Sequence, residues 1–311
     1  MLDSVKDAAS LRQAQQHSLD VLSGRIHPTR PEPSTLREGN ANLLEKIPDN
    51  GLGVETTTDH LLRNIAPSLS GCSLSPNYYG FVIGGITPAA RVADHIVGTY
   101  DQNVHVHLPD ETIATAVEDK ALAFLLDLFH FDIESWPSRT LTTGATASNI
   151  LGLACGREYV INEAVMRYRR QQKIENGEDL VSVGEHGLLA ACRAAGVENI
   201  QILTTMPHSS LGKAASIVGL ARSCVVDVSK AEDHMVFDMS KLKSQLELKN
   251  TVSVIAISCA EVNTGMFATH SYDEFRTIRS LCDEYGAWIH VDGGRTVHTF
   301  DCNVLTNHLV M

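Results

Sequence analysis

The chain has 311 residues and a formal net charge of -12; 43% of its residues are hydrophobic and 20% are charged. This composition is typical of a globular protein with one large or two ordinary domains, and it excludes a disordered chain. The negative charge argues against a nucleic-acid partner. No apolar run approaches the roughly 18 residues of a membrane span, and the N-terminus has no secretory pattern. The seven cysteines show no Cys-x-x-Cys or metal-finger spacing. We therefore expect a cytoplasmic protein without a metal site.

Residues 1–70 are predicted to form a helical arm and a linker. Apolar residues spaced through 1–26 predict one amphipathic helix or two short ones. The proline-rich residues 27–34 predict a linker, and a further helix is expected to start at 56–59. Such an arm packs on a partner or neighbouring subunit, or it is a frayed terminus; the sequence leaves both open. Further helices are predicted at 88–97 and 111–131.

Strands and helices alternate from Arg139 onward. The predicted strands are 139–143, 180–183, 200–204, 223–228, 252–258 and 287–292. The predicted helices between them are 145–172, 184–195, 209–220, 239–248 and 272–285. This alternation predicts βαβ units, and therefore a three-layer α/β fold with a mainly parallel sheet and right-handed crossovers.

The last predicted strand ends on Asp292, which two glycines follow. Ligands of open α/β sheets bind in the crevice beyond the carboxyl ends of the strands, so this carboxylate is a candidate binding group. Gly293 and Gly294 would let a planar ligand approach the backbone. The alternative is an Asp that caps the loop after a core strand.

Two strand-to-helix junctions carry further candidates. Gly144, Ala145 and Thr146 are small residues at the start of a predicted helix, where free backbone N–H groups and the helix dipole can hold a phosphate. An ordinary N-cap by Thr143 or Thr146 is the alternative. His208, before another helix, could lay its ring against a planar ligand or merely cap that helix.

A phosphate-binding helix start, an imidazole that can stack on a ring and a carboxylate, all at strand ends, together indicate a phosphorylated heteroaromatic cofactor. Asp292 could keep a pyridine nitrogen protonated, because an ion pair shielded from water raises the affinity of the partner for its proton. The charged ring would then accept electrons in carbanion chemistry. Tyr79 and Phe81, aromatic residues between glycines in a loop, are candidates for the substrate pocket. They could equally close the edge of a core.

Five motifs, in order, resemble the group II pyridoxal-phosphate-dependent amino-acid decarboxylases, which include the aromatic-amino-acid and glutamate decarboxylases. The motifs are Ser75-Pro76 with Gly80-Phe81 and Gly84-Gly85, Thr143-Gly144-Ala145-Thr146-Ala147-Ser148-Asn149, His208-Ser209-Ser210 with Lys213-Ala214, Asn263-Thr264-Gly265, and Trp288-Ile289-His290-Val291-Asp292. The resemblance covers about residue 70 to Gly294. It implies the large domain of the fold-type-I pyridoxal-phosphate enzymes at 71–294, a homodimer, and an amino acid as substrate.

By this resemblance, Ala145 and Thr146 hold the cofactor phosphate, His208 stacks on the ring, and Asp292 pairs with the pyridine nitrogen. The family usually has His-Pro in place of Ser75-Pro76 and an acidic residue near Ala147. These departures concern substrate choice more than cofactor class.

The Schiff-base lysine of the family lies beyond the position of Asp292, whereas the last lysine here is Lys249. Residues 295–311 form a divergent tail. We therefore expect a truncated product, inactive or nearly so, because the covalent link to the cofactor is missing. One alternative is a non-catalytic pseudoenzyme or dimerising fragment. Another is a different fold-type-I enzyme, such as a lyase or aminotransferase.

Overall fold

The computed structural model describes residues 6–24, 30–80, 85–172, 182–259, 261 and 264–294. The chain divides into two compact units, Met1–Asn103 and Val104–Met311. The boundaries predicted at residues 70 and 294 stay predictions. The tail at 295–311 and the candidate residue Phe81 lie outside the described residues.

The first unit is helical. Its helices are α1 Lys6–Leu22, α2 Pro33–Ala41, α3 Gly53–His60 and α4 Pro88–Thr99. The predicted N-terminal helix and the helix at 88–97 are confirmed. The linker predicted over 27–34 is wrong at its end, because α2 begins at Pro33, and proline fits the first turn of a helix. The helix start predicted at 56–59 is also wrong, since these residues lie inside α3.

The second unit holds the alternating elements. Its helices are α5 Ala114–Leu128, α6 Ala145–Gln172, α7 Val183–His186, α8 Leu188–Ala195, α9 Ser209–Ile217, α10 Met239–Leu246 and α11 Tyr272–Tyr285. Its strands are β1 Asn199–Thr204, β2 Val225–Asp227, β3 Thr251–Ser258 and β4 Trp288–Asp292. No helix in the described part of the chain is long and apolar enough to cross a bilayer.

The four strands form one parallel sheet in the order β2-β1-β3-β4. Ile202 of β1 pairs with Val254 of β3, and Ser258 of β3 pairs with Asp292 of β4. The carboxyl ends of β1, β3 and β4 therefore meet at one edge of the sheet.

Each face of the sheet packs on its own layer of helices. Side chains of α6, α8 and α9 join Ile202 and Val254 in one buried cluster, while those of α10 and α11 join Leu203 and Ile255 in the other. Neighbouring strand residues serve opposite faces because side chains alternate along a strand. The predicted three-layer α/β architecture with a parallel sheet is confirmed.

One predicted strand, 139–143, is wrong, and a second differs from the prediction in its described residues. Residues 139–143 pair with no described strand; instead Arg139 bonds Asp119 of α5, with 2.6 Å between Nη2 and Oδ1. The strand predicted at 180–183 lies partly outside the described residues. Its last residue, Val183, begins α7, because the Ser182 hydroxyl caps that helix.

The helix predicted over 184–195 is divided into α7 and α8. Gly187, with φ of 80°, separates them. The predicted stop at Gly196 is confirmed, since this residue adopts the left-handed conformation after α8.

Helix α6 lies close against β4 because two of its glycines face large side chains. A Cβ atom at Gly156 would lie 2.7 Å from Cδ1 of Trp288, and one at Gly152 would lie 2.6 Å from Nδ1 of His290. The absence of side chains on these two residues therefore sets how closely the helix approaches the strand.

We expect Gly156→Ala to lower the free energy of unfolding by about 1–3 kcal/mol, because the added methyl group overpacks the Trp288 ring. Gly212→Ala in α9 is the matched control, since its nearest neighbour would be Cγ of Arg222 at 4.0 Å. It should raise stability by about 0.5–1 kcal/mol through helix propensity. Urea unfolding measures both. Equal effects of the two substitutions would contradict the close approach of α6 to β4.

Candidate functional site

Asp292 is the last residue of β4 and lies half-buried at the carboxyl edge of the sheet. Its Oδ2 accepts a hydrogen bond from Nδ2 of Asn149 at 3.1 Å. Its Oδ1 accepts a long one, 3.5 Å, from the backbone N–H of Gly294. Asp292 therefore caps its own loop weakly and has a stronger partner on α6.

Asn149 lies in the second turn of α6 and is only 2% exposed. Its Nδ2 donates to Asp292 and also to Oγ of Ser210, 3.1 Å away. Its Oδ1 lies 2.7 Å from Nε2 of His290. The amide thus joins residues of α6, α9 and β4 in the interior, where a polar group needs such partners.

The hydrogen-bonding chemistry of these partners determines the orientation of the Asn149 amide and the position of the proton on His290. A carboxylate only accepts hydrogen bonds, so the NH2 group of Asn149 must face Asp292, and Oδ1 must then accept from Nε2–H of His290. Burial lowers the pKa of His290, and the negative charge of Asp292 offsets part of this shift. His290 is therefore a neutral imidazole with its proton on Nε2.

His208 is the N-cap residue of α9. Its Nδ1 accepts from the backbone N–H of Ser210 at 3.3 Å and lies 2.7 Å from Oγ of the same residue. Because Oγ of Ser210 already accepts from Asn149, its own proton is available for Nδ1 of His208. His208 therefore caps α9, which is one of the two roles that the sequence left open. The hydrogen bonds to Nδ1 hold this edge of the imidazole ring in place.

The junction before α6 is a tight turn. Gly144 has φ of 153°, and its carbonyl accepts from the N–H groups of Ala147 and Ser148. Ala145 and Thr146 precede these two residues in the chain, so their N–H groups lie in the first turn of α6, at the positive end of the helix dipole. The Thr142 hydroxyl donates a hydrogen bond to the Gly144 carbonyl at 3.1 Å and so holds the turn. The alternative of an N-cap by Thr143 or Thr146 stays a prediction.

The structure brings the three predicted groups to one edge of the sheet. Hydrogen bonds lead from His208 through Ser210 and Asn149 to Asp292. A Cβ atom built on Gly294 would lie 3.4 Å from Cβ of Ala145, so the turn before α6 adjoins the loop after β4.

Three residues of the site were not predicted from the sequence: Asn149, Ser210 and His290. One signal for His290 was available: His290 and Asp292 are two apart in a strand, so their side chains share a face. A second was that asparagine is a poor residue for a helix interior unless its side chain has partners elsewhere.

Tyr79 lies in the first unit and is 85% exposed. Its role in a substrate pocket stays a prediction, as does that of Phe81. The described residues contain no group of three or more His, Cys, Asp or Glu side chains placed to hold a metal ion.

No family model matches the chain. Among curated proteins, the chain is 21% identical over 289 residues to the L-aspartate decarboxylase dtxS4 of Metarhizium robertsii; the match covers 92% of this chain and 51% of that protein. Two further matches, from Acinetobacter baumannii and Bacillus atrophaeus, are also amino-acid decarboxylases. The chain spans at most about half the length of these relatives.

Solved structures share the fold over nearly the whole chain. The glutamate decarboxylase domain of diaminobutyrate-pyruvate transaminase and L-2,4-diaminobutyrate decarboxylase from Vibrio parahaemolyticus aligns with a TM-score of 0.70 and 18% identity, covering 99% of this chain and 62% of that one. The Oryza sativa protein TDC, solved with PLP and tryptamine, aligns with a TM-score of 0.64 and 17% identity, covering 97% and 62%. The fold predicted from the sequence is confirmed, and so is the resemblance of this chain to the group II pyridoxal-phosphate-dependent amino-acid decarboxylases.

Proposed function

We propose that this chain carries the cofactor-binding part of a pyridoxal-phosphate-dependent amino-acid decarboxylase. The observation that carries the proposal is the chain of hydrogen bonds from His208 through Ser210 and Asn149 to Asp292, with the start of α6 beside it. The decarboxylases among the relatives support the same function. Because the chain spans only part of their length, the activity of a whole enzyme is part of the proposal.

The residues at the site fit pyridoxal phosphate. The backbone N–H groups of Ala145 and Thr146 and the Thr146 hydroxyl would bind the phosphate at the positive end of the α6 dipole. The turn at Gly144 has open space around it, since a Cβ there would meet no atom within 4 Å. His208 would cover one face of the ring.

Asp292 would hold the proton on the pyridine nitrogen. When bound, pyridoxal phosphate supplies an electron sink for the carbanion that forms as an amino acid loses its carboxylate as carbon dioxide. Asp292 would stabilise the protonated ring through its negative charge, and its partial burial would shield this ion pair from water.

A non-catalytic function is the second candidate, and one observation favours it. No lysine follows Lys249 within these 311 residues. Lys213 is exposed and lies in the second turn of α9 rather than at a strand end, so it is a poor substitute. In this case the chain would bind the cofactor without turning over a substrate. A lyase or aminotransferase with the same fold is a third candidate.

The location and assembly of the protein also belong to the proposal. Five described cysteines are free thiols, which fits a reducing compartment such as the cytoplasm: Cys72, Cys155, Cys192, Cys224 and Cys282. Helix α5 buries none of its residues, and its apolar side chains Val117 and Phe124 are exposed. This surface supports the homodimer that the resemblance implies.

We expect Asp292→Asn to weaken pyridoxal phosphate binding about 10-fold or more, because an amide cannot form an ion pair with the protonated ring nitrogen. Asp227→Asn is the matched control, since Asp227 also ends a parallel strand and accepts a backbone hydrogen bond, from Ser229 at 2.9 Å. Absorbance titration with pyridoxal phosphate measures both. The proposed function fails if the unchanged chain does not bind, or if both variants bind equally.

Two substitutions at His208 separate its ring from its capping role. Asn is a good N-cap, so His208→Asn should keep stability but weaken pyridoxal phosphate binding several-fold, about 1 kcal/mol, because the ring is lost. His208→Phe should do the reverse, losing stability through the cap and keeping affinity. Thermal unfolding and cofactor titration are measured on each. Equal affinities of the Asn variant and the unchanged chain would refute stacking by His208.

Borohydride reduction tests whether a lysine of these 311 residues binds the cofactor covalently. After loading the 311-residue chain with pyridoxal phosphate and treating it with borohydride, we expect dialysis to remove the cofactor, because reduction fixes only cofactor joined to an amine. Mass spectrometry of peptides provides the measurement. A stoichiometric cofactor adduct on one lysine would contradict this expectation and would favour a catalytically competent chain.

A further inference from the structure

Every polar atom of the Asn149 side chain has a hydrogen-bond partner. Both of its N–H bonds have acceptors, Oδ2 of Asp292 and Oγ of Ser210, each at 3.1 Å. Its oxygen accepts from Nε2 of His290 at 2.7 Å. A buried amide with this set of partners is held in one position.

The partners also fix which end of the amide faces Asp292. If the amide rotated by half a turn, its oxygen would face the carboxylate and its NH2 group would face the N–H of His290. Both contacts would then be repulsive. His290 is itself held in place, because its ring packs on Gly152, where no side chain intervenes. A neutral imidazole thus keeps an N–H of Asn149 directed at Asp292.

We propose that Asn149 is the positioning residue for Asp292, and that it orients this carboxylate toward the ring nitrogen of pyridoxal phosphate. The proposal rests on the proposed function and deepens it. Asn149 occupies Oδ2, whereas the hydrogen bond that Oδ1 accepts within the described part of the chain is a long one, 3.5 Å from the N–H of Gly294. Oδ1 is therefore the oxygen that would face the cofactor.

The second N–H of the Asn149 amide connects it to His208, the residue proposed to cover the ring face. It donates to Ser210, whose hydroxyl faces Nδ1 of His208. The carboxylate for the ring nitrogen and the imidazole for the ring face are therefore set by one buried side chain. The strands that precede them, β4 and β1, are separated by β3 and so lie roughly 10 Å apart. The hydrogen bonds of Asn149 and Ser210 bridge this separation.

The test compares pyridoxal phosphate with 1-deazapyridoxal 5'-phosphate, in which carbon replaces the ring nitrogen. The phosphate and the ring face are the same in both probes, whereas only the natural cofactor can pair with Asp292. The ratio of their dissociation constants therefore reports the contact with Asp292 alone. We expect Asn149→Ala to lower the preference for the natural cofactor over the deaza probe about 10-fold, because any effect through His208 is common to both probes.

Asn162→Ala is the matched control. Asn162 lies on the same helix, is partly buried, and donates to the backbone carbonyl of Glu158 at 2.9 Å, outside the site. Its substitution should leave the ratio unchanged. Should Asn149→Ala fail to fold, Asn149→Leu is the second variant, because its side chain has a similar shape and offers Asp292 no N–H. The same loss of preference is then expected.

The outcomes separate this inference from the proposed function. If the unchanged chain binds neither probe, the proposed function itself fails. If it prefers the natural cofactor and the Asn149 variants keep that preference, the proposed function stands and the positioning role is refuted. An equal loss of affinity for both probes would mean that Asn149 only supports the fold, and would also refute the inference.

Discussion

The hydrogen bond between Asn149 and Asp292 is the contact on which the rest of the site depends. It connects the amino end of α6 to the carboxyl end of β4, two elements separated by more than half of the second unit's length. An unpaired carboxylate or amide would be costly in the interior. The close approach of α6 to β4 at Gly152 and Gly156 makes the contact possible.

The parallel sheet explains why these side chains meet. In such a sheet all strands end at one edge, and the helices that follow begin there with free N–H groups. His208 follows β1 and caps α9, Asp292 ends β4, and Ala145 begins α6. The architecture therefore collects a carboxylate, an imidazole and the turn before α6, although these three groups are far apart in sequence.

The sequence predicted the parts of the fold that follow from periodicity. The helix over 145–172 and the strands ending at Thr204, Ser258 and Asp292 are confirmed, because long amphipathic runs and short apolar runs have few alternative structures. The strand at 139–143 was wrong because an extended segment becomes a strand only when a neighbour supplies hydrogen bonds. Only tertiary structure reveals that neighbour.

The sequence predicted the residues of the candidate site that lie at the ends of helices and strands. It did not predict the buried residues that connect them. Asp292, His208 and Ala145 stand at element ends, where a local pattern indicates chemistry. Asn149 stands inside a helix, and its partners Ser210 and His290 are 61 and 141 residues away. No local pattern encodes such contacts, although the spacing of His290 and Asp292 was a usable signal.

A crystal structure of the 311-residue chain with pyridoxal phosphate would show whether Asp292 meets the ring nitrogen. We expect the phosphate at the N–H groups of Ala145 and Thr146 and the ring nitrogen about 2.8 Å from the Asp292 carboxylate, with the hydrogen bond from Asn149 to Asp292 intact. A cofactor bound elsewhere, or a ring nitrogen that meets no carboxylate, would contradict this expectation.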